Sequence, residues 1–289
     1  MSDYRNVLVH VSDSERSGMV LSCAAMVAAA QGASLRAVHA VDPLVLGAYL
    51  SPESAMTAAQ LNQDARRKRE AVAHDRALEA ARASGLAVHF ESPGGDPVEA
   101  MCARSRVADL AVVSQPSDDD AQGPSRRFAS RLLVTAGCPV LFVPAVGPVD
   151  ACGSHVLVAW SATRESARAL RDALPMLRRA AAVEVLRFGS LEPGAEEPLD
   201  AVVAYLRSHG VSAACSVRPV REISFSERML TPTVVDASIA ELLLSHAADM
   251  DANLIVMGGY GHTRAFELVL GGVTRTMLGS MTVPVLVSH

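Results

Sequence analysis

The chain has 289 residues, half of them apolar and 20% charged, a composition typical of globular proteins and a length that suits two domains of about 145 residues. Its net charge of −5 argues against a nucleic-acid partner, which calls for a basic surface. No apolar run reaches the roughly 18 residues of a membrane span, and the start, Met1-Ser-Asp-Tyr-Arg-Asn-Val7, lacks the basic-then-apolar order of a signal peptide, so a cytoplasmic protein with no membrane partner is expected.

In chain order, short Val- and Leu-rich segments alternate with helix-type segments. Strands are expected at Asn6–Val11, Ser34–Val41, Ala87–Glu91, Asp109–Ser114 and Val140–Val143. Helices are expected over Arg16–Gln31, from about Ser54 to Ser84, and over Pro97–Arg106. Further on, strands are expected at His155–Trp160, Ala182–Phe188, Val211–Val217, Asn253–Gly258 and Val283–Val287. The accompanying helices are Arg164–Ala180, Leu199–His209, about Val235–Ala248 and about Val273–Gly279. Strands apolar on both faces and separated by helices predict a doubly wound α/β fold with parallel sheets. The small apolar residues of 23–33 read as a helix buried on the sheet, and the basic stretch Gln63–Glu70 as a solvated helix face.

The sequence repeats itself. Asn6-Val-Leu-Val-His-Val-Ser12 matches His155-Val-Leu-Val-Ala-Trp-Ser161 at an offset of 149. Ala108–Ser114 matches Ala252–Gly258 at 144, and Cys138–Val143 matches Val283–Ser288 at 145. Three matches in the same order at nearly one offset mean two copies of one domain, over 1–146 and 153–289. The Pro- and Gly-rich stretch Pro144–Gly153 reads as the linker. The edges of the two last strands are natural partners, so the copies are expected to pack as an internal pseudo-dimer.

Copy two carries Gly258, Gly261 and Gly271 spaced G-x2-G-x9-G, between the fourth strand and a helix. Glycine lets backbone N–H groups approach a phosphate, and a helix N-terminus favours one. His262 and Arg264 in this loop read as solvated cations, and Glu267 would not help an anion site. Copy one has lost the pattern. Ser114 and Ser117 stand opposite Gly258 and Gly261, and Arg126 and Arg127 stand opposite Gly271 and Gly272. Asp118, Asp119 and Asp120 lie between and would repel phosphate, so copy one is not expected to bind a nucleotide. The rival is an anion held by the side chains of Arg126 and Arg127.

Other chemistries fall away. The five cysteines (Cys23, Cys102, Cys138, Cys152, Cys215) are scattered without C-x-x-C and read as reduced, mostly buried thiols. No histidine pairing suggests a metal site. Neither a P-loop nor a G-x-S-x-G elbow occurs, and Asp251 precedes its strand at the far end, so no general base stands by the loop. Trp160 is expected in the core or at the domain interface rather than stacked on a base.

Taken together, the strand followed by Ser161-x-Thr163-x-x-Ser166, the glycine spacing and the closing Pro284-Val-Leu-Val strand resemble the universal stress protein family in its tandem two-domain form. The resemblance covers nearly the whole chain. It implies five-stranded parallel sheets of order 3-2-1-4-5, joined through their last strands, and admits a homodimer of two chains. It also implies a stress-response or regulatory protein that binds an adenine nucleotide, ATP with Mg²⁺ bridging its phosphates, without robust catalysis. The family's pattern then falls on Ser161, Thr163, Gly258, Gly261, Gly271, Gly272, Val273 and Thr274, with no catalytic residue and no protein ligand to a metal. Two departures stand out: Gly272 replaces the family's Ser or Thr, with Thr274 two residues on, and Ser161 replaces its strand-end Asp. They favour the alternative, a nucleotide-free scaffold with both sites degenerate.

Overall fold

The computed structural model describes residues 3–41, 51–117, 119–120, 123–189, 199–219, 232–259 and 271–289. Copy one runs β1 (Asn6–Val11), α1 (Ser17–Gln31), β2 (Ser34–His39), α2 (Pro52–Ser84), β3 (Val88–Glu91), α3 (Pro97–Ser105), β4 (Leu110–Ser114), α4 (Arg126–Thr135) and β5 (Val140–Val143). Copy two runs β6 (His155–Trp160), α5 (Arg164–Asp172), α6 (Leu174–Leu177), β7 (Ala182–Phe188), α7 (Asp200–Ser208), β8 (Ala214–Arg218), α8 (Pro232–Asp249), β9 (Leu254–Gly258), α9 (Gly272–Ser280) and β10 (Val285–Ser288).

Every expected strand forms, with ends shifted by a few residues. The helix expected over Arg164–Ala180 is instead two, α5 and α6, meeting at Ala173. Pro175 explains the break: it has no N–H to extend the ladder and sits in the first turn of α6. The sequence reading placed no helix before β5, yet α4 forms there. Ser125 caps it, accepting from the Phe128 N–H at 3.1 Å. Phe128, Ala129, Leu132 and Leu133 repeat at helical spacing and are buried.

The strands make one ten-stranded sheet of order β3-β2-β1-β4-β5-β10-β9-β6-β7-β8. Each half is parallel, and the halves meet where β5 and β10 pair antiparallel. The register there sets Val140 against Val287, Leu141 against Leu286 and Phe142 against Val285. The expected joining through the last strands therefore holds, and it fuses the two sheets into one.

Because alternate residues face opposite sides, each face carries its own core, and both cores cross the seam. Leu141, Val143 and Leu286 belong to the face covered by α1, α2, α5, α6 and α7. Val140, Phe142, Val285 and Val287 belong to the face covered by α3, α4, α8 and α9. Among the described residues, three side-chain bonds to backbone also cross between copies. The Tyr4 hydroxyl donates to the Asp172 carbonyl at 2.6 Å, the Gln31 amide to the Pro175 carbonyl at 3.0 Å, and the Gln115 amide to the Leu278 carbonyl at 2.8 Å.

Helix α2 has 33 residues, about 50 Å of helix. Its N-terminal half is largely exposed, and its buried stripe begins at Ala73 and continues through Ala77, Ala80 and Ala81. Arg66, Arg67 and Lys68 are solvated as expected, but Arg69 turns inward. All five cysteines are free, with Cys23, Cys102 and Cys138 buried.

Candidate functional site

In copy two the first loop is built around the start of α5. Thr163 is the N-cap, its hydroxyl accepting from the Ser166 N–H at 3.2 Å. The Ser161 N–H donates to the Ser166 hydroxyl at 3.3 Å, and the Ser161 and Thr163 hydroxyls lie 3.3 Å apart. Between them Ala162 takes φ 50°, a left-handed conformation uncommon for a residue with a Cβ. Ser161 and Ala162 are exposed.

Gly258 ends β9 directly beneath this loop. A Cβ there would lie 2.5 Å from the Ser166 nitrogen and 2.7 Å from the Glu165 carbonyl carbon. Close approach of the α5 backbone to the sheet thus requires glycine at 258, independently of any ligand. The structure brings Ser161, Thr163 and Gly258 together. Glu165, beside Gly258, is ion-paired to Arg164 at 3.0 Å.

Gly271 is the N-cap of α9 and, lacking a side chain, offers no cap to the first turn. Gly272 and Val273 are half-buried. Thr274 is only 3% exposed, so its side chain turns inward. Met277 and Leu278 anchor α9 in the same core as Met257 and Val287 of β9 and β10. Gly261, His262, Arg264 and Glu267 lie outside the described residues. Among the described residues no three His, Cys, Asp or Glu side chains gather as a metal site requires.

The corresponding loops of copy one are tied to their own side chains. The Ser17 hydroxyl donates to the Ser12 carbonyl at 2.6 Å, and the Ser14 hydroxyl donates to Asp120 at 2.8 Å. From α2, Arg69 pairs with Asp13 at 2.9 Å and Arg76 donates to the Ser14 carbonyl at 3.1 Å. The loop after β4 closes on itself through the Ser117 N–H and the Pro124 carbonyl at 3.0 Å. The α4 N-terminus is capped by Ser125, where α9 has glycine. Arg126 and Arg127 are exposed in the first turn of α4.

Two buried histidines sit at the carboxyl ends of β1 and β2. His10 Nε2 faces the Ala40 carbonyl at 2.7 Å and so carries the proton, while its Nδ1 is buried without a hydrogen-bond partner. Burial pushes the His10 imidazole down to about 4, against the bond to Ala40, which favours its protonation. His39 Nδ1 faces the Val11 carbonyl at 2.9 Å, and its Nε2 lies 3.6 Å from Asp13.

Sequence reasoning missed Gln115, Arg69 and Arg76. Their partners are 163, 56 and 62 residues away, so spacing carries no signal for them.

The model of the "Universal stress protein family" matches residues 3–144 and 154–289. Among solved structures, a universal stress protein from Archaeoglobus fulgidus DSM 4304 is similar at 15% identity and TM-score 0.73, over 98% of this chain and 97% of that one. A functionally unknown protein from Pseudomonas aeruginosa PAO1 is similar at 16% identity and TM-score 0.55, over 99% and 92%. At these identities the likeness speaks for the fold. No curated protein sequence matches the chain. Among the described residues no helix is long and apolar enough to cross a membrane.

Proposed function

We propose, for a chain that belongs to the universal stress protein family with two such domains in tandem, that the C-terminal copy binds an adenine nucleotide, ATP, as a regulatory ligand and without robust catalysis. The observation that carries this reading is the contrast between two equivalent helix starts. Ser125 caps α4 with its hydroxyl, whereas Gly271 leaves the first-turn N–H groups of α9 without that cap. Such groups, at the positive end of the helix, suit a phosphate.

The residues present fit the ligand. The exposed Ser161 and the half-buried Thr163 offer hydroxyls on one wall, and Gly258 keeps the strand end free of a side chain. Gly271, Gly272, Val273 and Thr274 open α9 on the other wall. Gly261 completes the set from the sequence pattern. The carboxylate of Glu165 is already neutralised by Arg164. With no acidic cage among the described residues, Mg²⁺ would be held by the phosphates themselves. Copy one serves as the nucleotide-free half, its loops tied down by Arg69, Arg76 and Asp120. The free cysteines suit a cytoplasmic setting.

A second reading, a nucleotide-free scaffold, draws on the two cores that cross the seam and hold the halves together without any ligand. Calorimetry with ATP separates the two. Binding that Gly261→Val abolishes supports the nucleotide reading; no heat at about millimolar ATP leaves the scaffold.

A further inference from the structure

The seam between the copies has a two-fold character. At the offset of 145 that relates the closing strands, exchanging the copies turns the pair Val140–Val287 into Val285–Phe142, and both pairs are present. Contacts across such a seam come in equivalent pairs. At the offset of 149 that relates the first strands, Tyr4 corresponds to Gly153 and Cys23 to Asp172. The Tyr4 hydroxyl donates to the Asp172 carbonyl at 2.6 Å. The counterpart of that bond is a contact between α1 at Cys23 and the linker end at Gly153. There the Cys152 thiol meets the Cys23 thiol, side chain to side chain.

Neighbouring contacts hold the linker end in this place. The Gly153 N–H donates to the Asn253 side chain at 2.9 Å, and a Cβ on Gly153 would lie 2.9 Å from the Met176 methyl of α6. Gln31 of α1 donates to the Pro175 carbonyl of α6 at 3.0 Å. Residues 152 and 153 thus sit where α1 and α6 come together. Cys23 is fully buried in the core on this face, and Cys152 is half-buried and packs against the same core. The hydrogen bond with Cys23, and then burial, push the Cys152 thiol well up, so it rests protonated at neutral pH.

The two equivalent contacts differ in chemistry. One is a hydroxyl on a carbonyl. The other brings two thiols together, one from each side of the first domain's end. The other cysteines are placed differently: Cys102 meets the Thr135 hydroxyl at 2.8 Å, and Cys215 is exposed on the edge strand β8.

We propose that Cys23 and Cys152 form a reversible disulfide that ties the linker to α1, with a hydroperoxide as the oxidant. Cys152, the less buried of the two, loses its proton and attacks the peroxide. An S–O bond forms, the O–O bond breaks, and the departing oxygen takes up protons and leaves as water. The Cys23 sulfur then displaces the hydroxyl of the resulting sulfenic acid. The S–S bond forms, the S–O bond breaks, and a second water leaves with the Cys23 proton. The thiols lose two electrons in all, and one hydrogen peroxide becomes two waters. A dithiol reverses the closure by thiol–disulfide exchange. No nucleotide is needed for any of these steps.

The full chain is treated with hydrogen peroxide, its remaining thiols are alkylated in urea, and its peptides are mapped by mass spectrometry with and without a dithiol. A Cys23–Cys152 cross-link is expected within one chain, lowering the free thiols from five to three. It should form faster at about pH 9 than at about pH 7, because the thiolate is the nucleophile. It closes a loop of about 130 residues and should raise the urea midpoint, which peroxide should leave unchanged in Cys152→Ser. Peroxide that oxidises the exposed Cys215 while Cys23 and Cys152 stay open to alkylation overturns the proposal. A cross-link that forms equally fast in urea also overturns it, since the folded contact is then not what joins the thiols. Should Cys152→Ser fail to fold, the wild-type peptide map still decides.

Discussion

Gln115 of copy one and Leu278 of copy two are joined by a bond from Nε2 to the carbonyl oxygen at 2.8 Å, and the other end of the same amide accepts from the Ala145 N–H at 2.7 Å. One side chain thus fixes the start of the linker and the last turn of α9. In copy two the equivalent residue is Gly259, so this strap exists on one side only.

Replacing Gln115 by Leu keeps the bulk and removes both bonds. The Ala145 N–H and the Leu278 carbonyl lose their partner, and the expected cost is about 1–3 kcal/mol. Urea unfolding should show a lower midpoint with an unchanged slope. An unchanged midpoint would mean that water replaces the amide without loss.

Gly258→Ala puts a Cβ 2.5 Å from the Ser166 nitrogen, a backbone atom with little room to move. Displacing the α5 start should cost about 3 kcal/mol or more. Thermal unfolding without nucleotide is the right measurement. A fully stable variant would return Gly258 to a purely ligand-facing role.

The two helix starts can be exchanged. Ser125→Ala should destabilise copy one by about 0.5–2 kcal/mol by uncapping α4. Gly271→Ser, at φ −53° and ψ 148°, meets no backbone strain and should cap α9. It is expected to raise thermal stability slightly while lowering ATP affinity, since its hydroxyl competes for the same N–H groups. A gain in both quantities would count against phosphate at α9.

His10 should give stability an acid-side slope. Its folded value is pushed down to about 4 by burial, whereas an unfolded histidine titrates near about 6.5. The unfolded chain therefore binds the proton first as pH falls. The contribution is complete above about pH 6.5 and is lost on descending toward about pH 4, a total of about 3 kcal/mol. Urea midpoints from pH 7 to 4 should fall less steeply in His10→Leu than in the wild type. Equal slopes would mean that His10 takes up its proton as readily in the fold as in the unfolded chain.

The strands were legible because period, β-branched content and the internal repeat all agreed, from Asn6–Val11 to the Val285–Ser288 strand. The joining of β5 to β10 followed from edges that need partners. Helix α4 was hidden by the Pro-, Ser- and Asp-rich stretch before it and by two arginines in its first turn, although its buried stripe of Phe128, Ala129, Leu132 and Leu133 was there to be read. The structure adds a reason for Gly258 that its spacing does not carry. Its spacing pointed to a phosphate, but the backbone of Glu165 and Ser166 already demands glycine, a contact between residues more than ninety positions apart. Trp160 was expected in the core or at the interface. It stands at the core's rim, and the interface runs along β5 and β10 instead.

The antiparallel seam between β5 and β10 gives the molecule two poles. Within each half all strands run the same way, so the strand tips that frame the first loop of one copy and those that frame the first loop of the other point in opposite directions. A client docked at the Arg69–Asp13 pole would stand a full strand length from anything bound near Gly258. News of occupancy would have to travel through the β5–β10 pairing itself.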